Sequence, residues 1–206
     1  AVAEALTDSS YDGVYLNITP SAENGDALAA FVQALRAAVP EKKLYVAASA
    51  PARREAIPDY QALGKAADRI VLQVSGHEDT DGAVPVYAME PLETVYYALS
   101  ALNDQIPGEK LALLLTAEGH GRKGTGKPTA FSGDAVAALE AQGRTYYSDR
   151  YACAYLETKD TVVWYLNEKA LEARPGDGDT QEFIEWCQKG VALPRFSECF
   201  RERTEA

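Results

Sequence analysis

The sequence predicts an α/β protein: about five parallel strands joined by helices, with a small antiparallel insert at about residues 145–170. Three observations carry this. Segments such as LYVAAS (44–49) and RIVLQVS (69–75) are near-continuous apolar runs, the signature of parallel strands covered on both faces. Segments of 3.6-residue periodicity alternate with them. Beyond residue 140 the order changes to stretches rich in Tyr and β-branched residues around a Lys159-Asp160 turn, which read as an antiparallel hairpin.

The elements follow in order. The first strand is expected at 13–19, within DGVYLNIT (12–19), where Val14, Leu16 and Ile18 alternate with Tyr15, Asn17 and Thr19. A helix over 26–39 places Leu28, Phe31, Val32, Leu35 and Val39 on one face, and Pro40 closes it. The strand at 44–49, a short helix at 60–67 and the strand at 69–75 come next. A helix at 91–103 starts at Pro91 and turns Leu92, Val95, Tyr96, Leu99 and Leu102 inward. KLALLLTAEG (110–119) is the fourth strand. A helix at 133–142 leads into TYYS (145–148), ACAYLET (152–158) and TVVWYLN (161–167). RPGDGD (174–179) reads as a loop, TQEFIEWCQK (180–189) as an amphipathic helix and GVALPRF (190–196) as a last short strand. Without repeats, low-complexity stretches or a linker-like shift in composition, residues 1–206 are expected to form one domain.

Bulk properties bound the function. With 206 residues, 47% of them hydrophobic, the chain can bury a sizeable core. Its net charge is −11, from 31 acidic against 20 basic side chains. Such a chain repels phosphate backbones and anionic membranes, so nucleic acid is not expected as a partner. No apolar run reaches the ~18 residues of a membrane span. The opening AVAEALTDSS is too short and acidic to be a signal peptide, although one could have been removed. Cys153, Cys187 and Cys199 fit neither zinc nor CxxC spacing. Either Cys187 and Cys199 pair in an oxidising compartment, with Cys153 a buried small residue, or all three are unlinked thiols.

The order of segments resembles the later part of a glycoside hydrolase family 18 barrel, the chitinase-like fold, from Tyr11 to about Phe200. In that family the fourth strand carries D-G-x-D-x-D-x-E; here the frame reads Asp12-Gly13-Val14-Tyr15-Leu16-Asn17-Ile18-Thr19. FVQALRAAVPEKKLYVAAS (31–49) is similar to the fifth strand and its preceding helix, AADRIVLQVSG (66–76) to the sixth, and IPGEKLALLLTAEG (106–119) to the seventh. VVWYLNEKAL (162–171) resembles the family's antiparallel insert, and KGVALPRF (189–196) falls where the family has G-x-x-x-W. The resemblance implies a (β/α) TIM-barrel-like fold and cleavage of N-acetylglucosamine polymers, with the substrate's acetamide as nucleophile.

It also implies that this chemistry is lost. The acid falls on Thr19, the orienting Asp on Asn17 and the inner Asp on Tyr15. The sixth-strand Met, Tyr and Asp fall on Gln73, Ser75 and Gly76, and the last-strand Trp falls on or beside Pro194. Only Asp12 and Gly13 remain, which shape the turn into the strand. Loss of a general acid alone removes about 10²–10⁴ in rate.

Other constellations stay open. His77 and His120 follow neighbouring strands, with Glu78, Asp79, Asp81 and Glu118 beside them: a weak divalent-metal set, or polar exposed loops. Arg53 and Arg54 suit a carboxylate or sulfate, or are a solvated helix start beside Glu55. GHGRKGTGK (119–127) is no Walker loop, since Pro128 follows Lys127; a mobile loop above the site is expected, with phosphate binding the alternative. Tyr146, Tyr147, Tyr151, Tyr155, Tyr165 and Trp164 gather in the insert, as a glycan platform or as packing.

A complete barrel needs eight strands and about 250 residues. The chain is therefore expected to be a fragment, to pair with a copy of itself, or to form an open sheet. The expected function is a catalytically degenerate, glycan-binding or scaffold domain of a bacterial surface or secreted protein, without a cofactor, the cytoplasm being the other possible location. Its ligand contacts are Asn17, Arg53, Gln73, Ser75, Glu118 and Trp164. The alternatives are a hydrolase using His77, His120 and Glu118, and a purely structural interaction module.

Overall fold

The computed structural model describes residues 1–7, 10–18, 25–49, 60–103 and 105–174. Along the chain these form α1 (Val2–Thr7), β1 (Gly13–Leu16), α2 (Gly25–Ala38), β2 (Lys43–Ser49), α3 (Tyr60–Ala66), β3 (Arg69–Gln73), a hairpin of β4 (His77–Asp79) and β5 (Val86–Ala88), and α4 (Leu92–Asn103). There follow β6 (Leu111–Leu114), β7 (Gly119–Lys123), β8 (Thr129–Phe131), α5 (Gly133–Glu140), β9 (Arg144–Ser148), β10 (Cys153–Glu157), β11 (Thr161–Tyr165) and α6 (Glu168–Glu172). They fold as two compact units: one holds the described residues up to Val74 together with Ala98–Leu114, the other Ser75–Tyr97 and the described residues from Leu115 on.

The first unit is a parallel sheet in the order β1-β2-β3-β6. Alternate side chains decide its two faces. Leu16, Leu44, Val46, Ile70, Leu72 and Leu111 are buried, and each large one removed from water contributes roughly 1.5–3 kcal/mol. Tyr15, Tyr45, Ser49, Gln73 and Leu114, from the other face, are exposed. Among the described residues the four strands do not close, and this face is open at those positions, although Ala47 on it is buried. An ionic staple fixes the helix side. Arg36 on α2 donates to Asp68 at 2.5 Å and to the carbonyls of Ala66 and Lys42, while Asp68 accepts from the Leu44 N–H. Partial burial raises the Asp68 pKa, but the Leu44 amide and the Arg36 guanidinium outweigh it and hold that carboxyl below its usual range.

The second unit is an antiparallel sheet in the order β8-β7-β11-β10-β9. One face packs Ala154, Leu156, Val163 and Tyr165 against Val136 and Leu139 of α5. The other gathers Cys153 and Trp164 with Tyr87 and Ala88 of the β4–β5 hairpin. Ser132 caps α5 through the Ala135 N–H and Asn167 caps α6 through the Ala170 N–H.

Several expectations need correction. The buried alternation of the first strand stops at Leu16, leaving Ile18 44% exposed, and Phe31 of α2 is 37% exposed. The strand expected at 110–119 is two strands, β6 ending at Leu114 and β7 starting at Gly119. GHGRKGTGK is no free loop: it is β7 and the turn into β8. The helix expected at 180–189, the strand at 190–196, Cys187 and Cys199 lie outside the described residues. Cys153 is a free, buried thiol.

Candidate functional site

In the first unit, the sequence-expected positions sit at the C-terminal edge of the parallel strands, the end where barrel active sites form. Register places Ser49 beside Gln73 and Gln73 beside Leu114. Asn17 follows directly on β1 and is exposed. None of Asn17, Ser49, Gln73 and Leu114 can gain or lose a proton near neutral pH. Thr19 and Arg53 lie outside the described residues. Tyr15, where the family frame has its inner Asp, is 45% exposed and pairs across strands with Tyr45. Asp12 serves the backbone: its carbonyl accepts from the Lys43 N–H at 2.9 Å. Gly13 is required there, because a Cβ would stand 2.2 Å from the Lys43 carbonyl oxygen.

In the second unit, register brings together residues far apart in sequence. Residues directly opposite in antiparallel strands share a face. Tyr146 faces Tyr155, Tyr155 faces Trp164, and Trp164 faces His120, so one row crosses four strands. Tyr146 and Tyr155 stack at 5.1 Å with 19° between planes; Tyr155 and Trp164 stack at 4.6 Å and 21°. Tyr151 meets Trp164 edge-on and stacks on His77 at 5.2 Å. Burial, then the neighbouring Tyr146 and Glu157, push the Tyr155 phenol up.

This geometry revises the platform read from sequence. Nearly parallel rings at these distances spend their faces on one another. Trp164 is 3% exposed, and its indole N–H donates to the Pro85 carbonyl at 2.9 Å, so it supports the row from within and cannot itself touch a ligand. Tyr147 and Tyr165 belong to the opposite face, with α5. There burial, then a bond to Glu140, pushes the Tyr165 phenol to about 12. The ring face left open is the outer one of Tyr146, 37% exposed on the edge strand β9.

The metal set does not assemble. His120 Nε2 lies 2.8 Å from Glu78 Oε1, not beside Glu118, whose exposed side chain lies in the turn before β7. His77 is engaged with Tyr151, Asp79 with the Asp81 N–H, and Ser75 is exposed. Among the described residues no three of His, Cys, Asp and Glu approach closely enough to hold a metal.

Sequence reading missed one buried polar cluster. Arg174, 5% exposed, donates to the carbonyls of Ala152, Ala170, Met89 and Glu90 and to Cys153 Sγ at 3.4 Å. Two of those carbonyls belong to residues in the left-handed region, Glu90 (φ 34°) and Ala152 (φ 49°). Glu90 is 7% exposed with Oε2 unpartnered. Burial raises its pKa to about 7 against the opposing pull of Arg174 and the Thr116 N–H. Burial likewise raises the Cys153 thiol. No sequence signal marks this cluster, because its members come from four separate segments.

The chain matches no protein-family model and no curated protein. Solved structures do resemble it. A Bacillus subtilis protein described as a sporulation-specific glycosylase is 16% identical over 90% of this chain and 66% of its own, with a TM-score of 0.70. A chitinase from Chromobacterium violaceum is 19% identical over 84% of this chain and 59% of its own, TM-score 0.68. A family 18 N-acetylglucosaminidase from Paenibacillus barengoltzii is 16% identical over 82% and 62%, TM-score 0.66. The chain thus has the α/β, chitinase-like fold of glycoside hydrolase family 18 barrels, and it spans less than two thirds of the length of each of these three proteins.

Proposed function

We propose that this is a catalytically degenerate chitinase-like domain that binds glycan built on N-acetylglucosamine, in a secreted or cell-surface setting. The observation that carries the reading is the stacked row Tyr146–Tyr155–Trp164, which ends in an open ring on an edge strand. A sugar ring docks its apolar face on such a phenol, and the rings behind hold it rigid, so little side-chain freedom is lost on binding. Support for the loss of catalysis comes from the parallel-strand edge, where Asn17, Ser49, Gln73 and Leu114 offer no proton donor.

Titration of chitohexaose by calorimetry tests the binding. The expected result is saturable binding that Tyr146→Ala weakens about tenfold, the size of a ring-stacking contribution. A fluorogenic chitobioside should show no turnover. Binding unchanged in Tyr146→Ala, or turnover that Asn17→Ala abolishes, would overturn the reading.

A further inference from the structure

The parallel unit holds a cavity at the end of its sheet away from Gln73 and Leu114. It lies where α3 and the segment after α4 lead into β3 and β6. Its volume is about 420 Å³, within the range that takes a small ligand. The floor is apolar. Gly64 and Ile106 are buried there, and a Cβ at Gly64 would stand 3.3 Å from the Ile106 side chain. Glycine inside a helix is unfavourable against alanine. At this position it keeps the floor open, because a larger side chain would press on Ile106 and fill the space.

The walls present donors. Gln61 and Lys65 lie four residues apart on α3 and share a helix face, with Gly64 between them. The segment after α4 adds Gln105 and Lys110. Lys110 Nζ donates to the carbonyls of Gly64 at 2.7 Å and Ala67 at 3.0 Å, which fixes the ammonium in place and leaves its third N–H for a ligand. Gln105 is anchored through Nε2 on the Ala101 carbonyl at 3.1 Å. Among the described residues no carboxylate lines the cavity, and none pairs with Lys65 or Lys110. The chain as a whole carries −11, but the Debye length at physiological salt is about 8 Å, so an anion in the cavity meets mainly these two ammonium groups.

We propose that this cavity binds a small organic phosphate, a phosphorylated polyol of about monosaccharide size. Its cations are lysines, point charges that suit a tetrahedral phosphate, and not the arginine forks that match a flat carboxylate. A bare phosphate, the size of a few waters, would leave most of the space empty. Lys65 and the third N–H of Lys110 take the phosphate, the amides of Gln61 and Gln105 take hydroxyls, and Ile106 underlies the carbon skeleton. The site belongs to the parallel unit, so the proposal stands independently of the glycan-binding reading.

Calorimetry with glucose 6-phosphate, glucose and inorganic phosphate tests it. Glucose 6-phosphate should bind saturably and about tenfold or more tighter than either fragment, the size of one charge-assisted contact. Lys65→Gln changes an exposed helix position and should remove most of the margin over glucose with an unchanged circular dichroism spectrum. Gln61→Ala should weaken glucose 6-phosphate several-fold and leave inorganic phosphate as it was. Chitohexaose binding should be the same in Lys65→Gln as in the unaltered protein, which keeps the two readings separable. No saturable binding of glucose 6-phosphate, equal binding of glucose or of inorganic phosphate, or a margin that survives Lys65→Gln overturns the proposal.

Discussion

At the scale of single residues, the Arg174 cluster sets the stakes. One guanidinium satisfies the carbonyls of Met89, Glu90, Ala152 and Ala170 inside a site closed to water. Arg174→Met keeps the stem and removes the donors, so those oxygens lose their partner in a low dielectric. The expected loss is about 3 kcal/mol or more, read as a lower urea midpoint. Glu90 makes a sharper case, because its effect has a sign. Its pKa rises from 4.5 to about 7 on burial, so the folded state holds the proton more tightly than the unfolded one. The stability this contributes is complete below pH 4.5 and is lost as pH rises through about 7. The shift corresponds to about 3 kcal/mol. Glu90→Gln should therefore match the unaltered protein at pH 4.5 and exceed its stability at pH 8, by about 3 kcal/mol. Urea unfolding at the two pH values checks this, and a constant gap between the two proteins would refute it. Nothing in the sequence exposed this site. A Glu before Pro91 and an Arg before Pro175 look like solvated loop residues until the fold encloses them.

At the scale of elements, legibility followed periodicity. The helices and strands of the parallel unit repeat at 3.6 and 2 residues with apolar side chains, and β2, β3, α2 and α4 fall within a few residues of where those periods place them. β7 escaped because its sequence, GHGRK, has no apolar member. Its strand character comes from its neighbours. A Cβ at Gly121 would stand 2.1 Å from the Val162 carbonyl oxygen, and one at Gly119 would stand 2.6 Å from the Val163 side chain. The glycines are there for close approach to β11, which a reading based on side-chain pattern takes for a flexible loop. Gly121→Ala should accordingly cost several kcal/mol, far beyond the usual few tenths for an exposed strand glycine, with thermal unfolding as the measure. Gly126→Ala, with its nearest backbone oxygen at 3.0 Å from the built Cβ, should cost less. The aromatic cluster in the insert was visible as composition, but its stacking order and the burial of Trp164 depend on register, which no local stretch reveals.

At the scale of the whole molecule, the parallel sheet leaves its edge strands and part of one face uncovered among the described residues. Parallel sheets are stable when both faces are covered, and β1 and β6 have no second partner among the described residues. Tyr15 and Tyr45 stand side by side, 45% and 40% exposed, with Leu114 39% exposed on the same face. Association of two copies through this face would bury those rings, and the expected outcome is a concentration-dependent dimer in sedimentation velocity. Its salt dependence has a definite sign. Each copy carries −11, so screening removes repulsion and the dimer tightens between 0.02 and 0.5 M salt, as the Debye length falls from about 20 Å to a few ångströms. Tyr45→Lys puts a solvated charge in the centre of the buried patch and should leave a monomer with unchanged circular dichroism. A protein that stays monomeric at all concentrations and both salts would mean that the exposed tyrosines tolerate water as they stand, and that the open face is stable without a second layer.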